Sequence, residues 1–162
     1  MTELFRKDSY SEVLVMNYEE IKRRLAPCGL DCGRCAGYRN GEINRLSREL
    51  IDQLGNYRRI APIRARADAE FAYFEQFEKI LTTFATDDCN GCRMPDSRCP
   101  AICKAKSCHQ EKGVDFCFQC SDFPCGSEME IVTGNRWRQK NERMAEIGVE
   151  AFYREQLKTP RY

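Results

Sequence analysis

The chain contains a single histidine, His109, in 162 residues. A Ser-His-Asp or Cys-His catalytic arrangement can therefore centre only on that residue. Neither a P-loop nor a G-x-G-x-x-G fingerprint occurs, which excludes the nucleotide sites built on those phosphate cradles. Long apolar runs are missing too. The longest near the start is Val13-Leu14-Val15-Met16, far short of the roughly 18 residues that a membrane helix requires. The first eight residues carry charges of both signs and no signal-peptide core, so a reducing cytosol is expected. Net charge is almost absent as well. Lys plus Arg number 26 against 25 Asp plus Glu, leaving +1, which gives no field to draw in nucleic acid or an anionic membrane. The basic clusters Lys22-Arg23-Arg24, Arg58-Arg59, Arg64/Arg66 and Arg136/Arg138/Lys140 have acids nearby and read as solvated helix faces.

Cysteine is abundant. There are eleven, an odd number that disulfide pairing cannot exhaust, in a chain expected to stay reduced. Thiolates that bind metal also change the charge. Eleven of them remove eleven units and three divalent ions restore six, which takes +1 to −4.

Helical stretches alternate with cysteine clusters, and the chain reads as one domain over 1–162 in three parts. The first, 17–86, is helical and carries the first cluster. Residues 17–26 predict a short helix with Asn17 as N-cap, stopped before Pro27. Ile43, Leu46, Leu50, Ile51, Leu54 and Tyr57 fall on one helical face, with Gly55 as a terminator. Pro62 is placed to open a further helix, along which Phe71, Phe74, Phe77, Leu81 and Phe84 form an aromatic stripe. That stripe reads as a core face, with a docking surface as the alternative. The second part, 87–126, is poor in aliphatic residues and holds eight cysteines. Such a segment cannot build a core alone, so metal ligation is expected to replace one. The third part, 127–162, predicts a C-terminal helical arm interrupted at Gly134-Asn135. Its candidate buried positions are Met129, Val132, Trp137, Met144, Ile147, Ala151 and Phe152. The fold class is thus mainly α with cysteine-rich, metal-stabilised irregular segments. A small α+β arrangement stays open, with short hairpins at the Cys-x-x-Cys turns.

The spacings carry the chemistry. Cys28, Cys32 and Cys35 read C-x3-C-x2-C, and Cys89 with Cys92 reads C-x2-C. Cys99 and Cys103 read C-x3-C, with Cys108 five further on. Cys117 and Cys120 read C-x2-C, with Cys125 five further on. A turn with two residues between its cysteines brings both sulfurs to one point, and two such turns make a tetrahedral four-sulfur site. The pair Cys89/Cys92 with Cys117/Cys120 has that form. Eleven thiolates fill two sites of four and leave three, so His109, Asp31 or solvent is the candidate for a remaining position. His109 otherwise reads as an exposed side chain. The first spacing matches that of radical S-adenosylmethionine enzymes, yet the strand-helix alternation of their barrel is missing. A plain iron–sulfur cluster stays open beside zinc, because thiolates hold both.

Together these motifs resemble the domain of unknown function 3795 family of bacterial and archaeal proteins. The resemblance rests on Cys28-Gly29-Leu30-Asp31-Cys32-Gly33-Arg34-Cys35 with Tyr38, and on Cys89-Asn90-Gly91-Cys92. It continues through Cys99, Cys103 and Cys108, and through Lys112-Gly113-Val114 with Cys117, Cys120, Pro124 and Cys125. It spans about 26–130. It implies a cytosolic, cysteine-rich, metal-binding protein, and it implies no reaction. A small residue is implied where this chain has His109.

The expected function is a cytoplasmic zinc-stabilised interaction module, not an enzyme. It would hold two or three zinc ions on the eleven cysteines, with another protein as partner and neither nucleic acid nor a membrane. The alternatives are an iron–sulfur redox or accessory protein of anaerobic metabolism and a metal or cluster transfer factor.

Overall fold

A computed structural model describes residues 16–99, 102–126, 129 and 133–162. Among the described residues there are seven α-helices, three 3-10 turns and no β-strand. The only ladder-like pairings among them are two isolated bridges, Leu25 with Asp31 and Tyr38 with Cys89. The mainly helical expectation holds, and the Cys-x-x-Cys turns carry no hairpin. The chain divides into two compact units. One comprises the described residues of Met1–Gly33 with those of Asn90–Tyr162, and the other is Arg34–Cys89.

The first unit begins with α1, Tyr18–Arg24. Asn17 caps it as expected. Asn17 Oδ1 accepts from the Glu20 amide at 3.1 Å and the Glu20 carboxylate accepts from the Asn17 amide at 2.8 Å, a reciprocal capping box. Glu19 and Glu20 in the first turn and Lys22, Arg23 and Arg24 in the last complement the helix dipole. Leu25 then turns extended, as the approach to Pro27 requires.

Two helices close this unit, α6 (Arg136–Ile147) and α7 (Val149–Leu157). Its core consists of Ile21, Leu25, Phe116, Met144, Val149, Phe152 and Tyr153. The segment expected as a C-terminal arm therefore supplies four of these seven side chains. Of its candidate buried positions, Met129, Trp137, Met144 and Phe152 are buried, while Ile147 and Ala151 are half-buried. Val132 lies outside the described residues. The interruption at Gly134-Asn135 is present as a turn ahead of α6. A second break was not anticipated. Gly148, with φ 82° and ψ 157°, separates α6 from α7 in a region of backbone space that is essentially glycine's own.

The second unit is built on a pair of helices, α2 (Glu42–Leu54) and α4 (Phe74–Thr86). Asn44 joins them. Its buried amide donates to the Phe84 and Ala85 carbonyls at 2.8 and 2.9 Å, carbonyls that the helix end leaves without partners. This refines the expected face of α2. Leu46 and Leu50 are 48% and 42% exposed, whereas Asn44 and Ser47 are buried. A polar residue that satisfies the neighbouring helix takes a contact position, while Ile43, Ile51, Leu54 and Tyr57 of the apolar stripe are half-buried.

The helix expected from Pro62 through Phe84 is also broken. Pro62 stands in the first turn of a short α3, Ala61–Arg64. Asp68 then adopts an extended backbone and accepts from the Glu70 amide at 3.2 Å. That cap starts a 3-10 turn at Ala69–Tyr73 before α4 begins, as local Asp side-chain bonding does when it competes with helix continuation.

Candidate metal centre

All eleven cysteines are free thiols. Nine lie in the first unit: Cys28, Cys32, Cys92, Cys99, Cys103, Cys108, Cys117, Cys120 and Cys125. Cys35 and Cys89 lie in the second.

The loop after α1 positions Cys28 and Cys32. The Ala26 amide donates to Leu30 O at 2.8 Å, and the Cys32 and Gly33 amides donate to Arg24 O at 2.8 and 3.2 Å. Gly29 sits at φ 80°, and a Cβ there would lie 2.8 Å from Lys140 Cβ and 3.0 Å from Met144 Cε. This glycine is therefore required both by its backbone conformation and by the close approach of α6. The C-terminal end of the chain clamps the same loop. Gln156 Nε2 donates to Gly29 O at 3.2 Å and Arg161 Nε to Asp31 O at 2.9 Å. Asp31 itself is fully buried.

Cys92 is held by its neighbour Arg93. The Arg93 guanidinium donates through Nε to Lys22 O at 2.8 Å and Leu25 O at 3.1 Å, and through Nη2 to Asp115 O at 2.6 Å. It thus caps the C-terminal end of α1 with a side chain from the cysteine-rich segment. Burial lowers its pKa. The motif reading did not single out Arg93 or the buried Asn141, and a lone Arg between Cys92 and Met94 carries no periodic signal that would mark it.

The sulfurs of Cys92 and Cys99 are 3.2 Å apart, and Cys92 also shares a hydrogen bond with Cys32. The separation is far above the roughly 2.05 Å of a disulfide. It is somewhat below the edge of about 3.8 Å that a tetrahedron with Zn–S near 2.3 Å implies. Hydrogen bonding with Cys32 and with Cys99, and then burial, raises the pKa of Cys92. The same interactions lower Cys32 and bring Cys99 down to about 6.

A second neighbourhood forms around Cys117. Cys108 lies on α5 (Ala105–Glu111), and Lys112, one turn further on the same side, pairs with Asp122 at 2.7 Å. That ion pair ties the end of α5 to the stretch between Cys120 and Cys125. Cys117 and Cys120 lie in and just after a 3-10 turn at Cys117–Gln119. The Cys117 amide donates to Pro27 O at 3.0 Å, beside Cys28. Burial pushes Cys117 up, and negative charge on Cys28, Cys108, Cys125 and Cys120 adds to the rise. Cys108 is raised by burial and then by Cys125 and Cys120. Cys28 is pushed up to about 12, first by burial. The spacing offers Cys89/Cys92 with Cys117/Cys120 as one form of site; the thiols that hydrogen-bond to Cys92 in the structure are Cys32 and Cys99.

Among the described residues no group of three or more His, Cys, Asp or Glu side chains stands in metal-holding geometry. The sulfurs shown in contact are those of Cys92 and Cys99. His109 corrects the sequence reading: it is buried, with Nδ1 2.9 Å from Ala105 O, rather than exposed. In the second unit, the Arg39 amide donates to Cys89 O at 2.8 Å and the Cys89 amide to Gly37 O at 3.2 Å. These bonds lay the strip after Cys35 alongside Cys89. No helix among the described residues is long and apolar enough to cross a membrane.

Neither the curated proteins nor the solved structures contain a match to this chain. The model of one family, described as a protein of unknown function (DUF3795), matches residues 24–130, and those residues include the whole cysteine series from Cys28 to Cys125. The chain belongs to that family.

Proposed function

We propose that this protein is a cytoplasmic, zinc-stabilised module that binds another protein and performs no reaction of its own. Two or three zinc ions are held by its cysteine thiolates. The observation that carries the reading is the approach of the Cys92 and Cys99 sulfurs to 3.2 Å, with Cys32 hydrogen-bonded to Cys92, in a segment with little aliphatic core. Soft thiolate donors suit zinc, and the 3.2 Å sulfur separation is close to what a shared ion requires. The buried Cys28 and Cys117 hold their protons tightly, so metal uptake must displace protons and strengthen with rising pH.

The test is metal content and visible absorption of protein purified without oxygen. Two or three zinc per chain with no broad band at about 400 nm supports the module. Iron with matching sulfide and such a band replaces it with an iron–sulfur protein. Cys92→Ser should then lose metal and thermal stability together. Full retention of both refutes a structural metal at this position.

A further inference from the structure

The second unit carries a feature that the metal reading does not use. Five aromatic side chains, Tyr57, Phe71, Tyr73, Phe74 and Phe77, line one open cavity of about 470 Å³. Leu54 completes its apolar wall, and Glu70 is the single charged residue lining it. The rings are coupled to one another. Tyr57 lies 6.1 Å from Phe71 and 5.2 Å from Phe74 between centroids, and Phe74 lies 5.9 Å from Phe77. Phe77 is 45% exposed and Tyr73 65%, so the aromatic stripe of α4 is only partly a core face.

The charges around the cavity are sorted. Arg58 is paired with Glu78, and Lys79 with Glu75 at 2.8 Å. Among the described residues Glu70 has no ion pair, and the Arg64 guanidinium lies 5.2 Å over the Phe71 ring. One ring of the group therefore already holds a cation on its face. The remaining faces, those of Tyr57, Tyr73, Phe74 and Phe77, with one carboxylate beside them, are complementary to a positive charge that carries apolar substituents. Glu70 is exposed at the edge of the cavity, where an anionic ligand would meet its charge.

We propose that this cavity binds an organic ammonium ion with an apolar body, the charge resting against the ring faces and Glu70. The size and the predominantly apolar lining are those of small-molecule sites, and the occupant is independent of any metal held by the cysteines.

The test uses the full chain and a matched pair of probes, choline and its neutral isostere 3,3-dimethylbutan-1-ol, followed by amide chemical-shift titration. The expected result is saturable shifts confined to Tyr57 and residues 70–77, with choline binding at least about threefold tighter than the neutral probe. Glu70→Gln should weaken choline by a similar factor and leave the neutral probe unchanged. Tyr73→Leu, at an exposed position that does not threaten folding, should weaken choline further. Equal affinities for the two probes, or no saturable shifts at these residues, overturn the proposal. Persistence of choline selectivity in both variants overturns it as well.

Discussion

The guanidinium of Arg93 lies 5.0 Å from the centre of the Phe116 ring while donating hydrogen bonds to three backbone carbonyls. One side chain thereby closes α1, stacks on a fully buried aromatic of the first unit and fixes the backbone beside Cys92. The contact belongs to folding and to the thiol site at once.

Arg93→Met should therefore destabilise the first unit by about 2–4 kcal/mol, because the Lys22, Leu25 and Asp115 carbonyls lose their donor in a partly buried place. Arg93→Lys should recover less than half of that loss, since an ammonium cannot reproduce the planar fork over Phe116. Urea unfolding of the three proteins decides the matter. Equal midpoints for Lys and Arg would show the fork to be irrelevant.

Asn141 is fully buried. Its carbonyl oxygen accepts from the Phe118 amide at 2.9 Å and its amide donates to Trp137 O at 2.9 Å. Asn141→Leu keeps the volume and removes both bonds. It should cost about 1–3 kcal/mol, mostly from the orphaned Phe118 amide. Hydrogen exchange at that amide should accelerate in step; unchanged exchange would mean that another acceptor replaces Asn141.

Gly29 and Gly148 both sit at positive φ, but only Gly29 faces atoms closer than 4 Å. Gly148→Ala should cost about 1–3 kcal/mol from backbone strain alone. Gly29→Ala adds a collision with Lys140 Cβ, a further ~1–3 kcal/mol of overpacking. The ordering of the two denaturation midpoints is the readout, and a smaller loss at Gly29 contradicts the close approach of α6.

On α2 and α4 the outward position of Leu46 and the buried one of Leu81 have measurable consequences. Leu46→Gln should change stability by no more than about 0.5 kcal/mol, whereas Leu81→Ala, at a buried position, should cost about 2–5 kcal/mol. Comparable losses at both sites would restore the face that periodicity suggested.

Metal removal tests the proposed module directly. A chelator at neutral pH should abolish amide protection across 102–125 and leave the α2–α4 pair protected, because Asn44 and the side chains between those helices need no ion. Protection that survives chelation throughout would argue that packing alone holds the thiol segment.

Much of this was legible in the residues. Asn17, Pro27, Gly55 and Gly134 punctuate helices through local chemistry, which a sequence displays, and all four act where expected. The failures have a common physical origin. Leu46 and Leu50 of the α2 stripe lie exposed while Asn44, a polar residue, takes a contact position to satisfy carbonyls 40 residues away. The break at Asp68 came from a side-chain cap that outcompeted helix continuation. His109 is buried and donates from Nδ1 to Ala105 O within α5, and its burial depends on packing that composition cannot show. For the thiols, spacing identified the cysteines that share a turn but not which turns meet. That depends on Arg93 and Pro27 anchoring distant loops to one another.

The first unit is assembled from residues on both sides of Arg34–Cys89, and this imposes an order on its birth at the ribosome. Ile21 and Leu25 emerge early, but their partners Met144, Phe152 and Tyr153 follow more than a hundred residues later. At ordinary synthesis rates the wait is on the order of ten seconds. For much of it the nascent chain displays two apolar side chains and the thiols of Cys28 and Cys32, and Cys92 and Phe116 arrive before α6 and α7. The contiguous second unit is complete before that wait ends. Oxidants and holdase chaperones thus have their widest access to this protein while it is still being made.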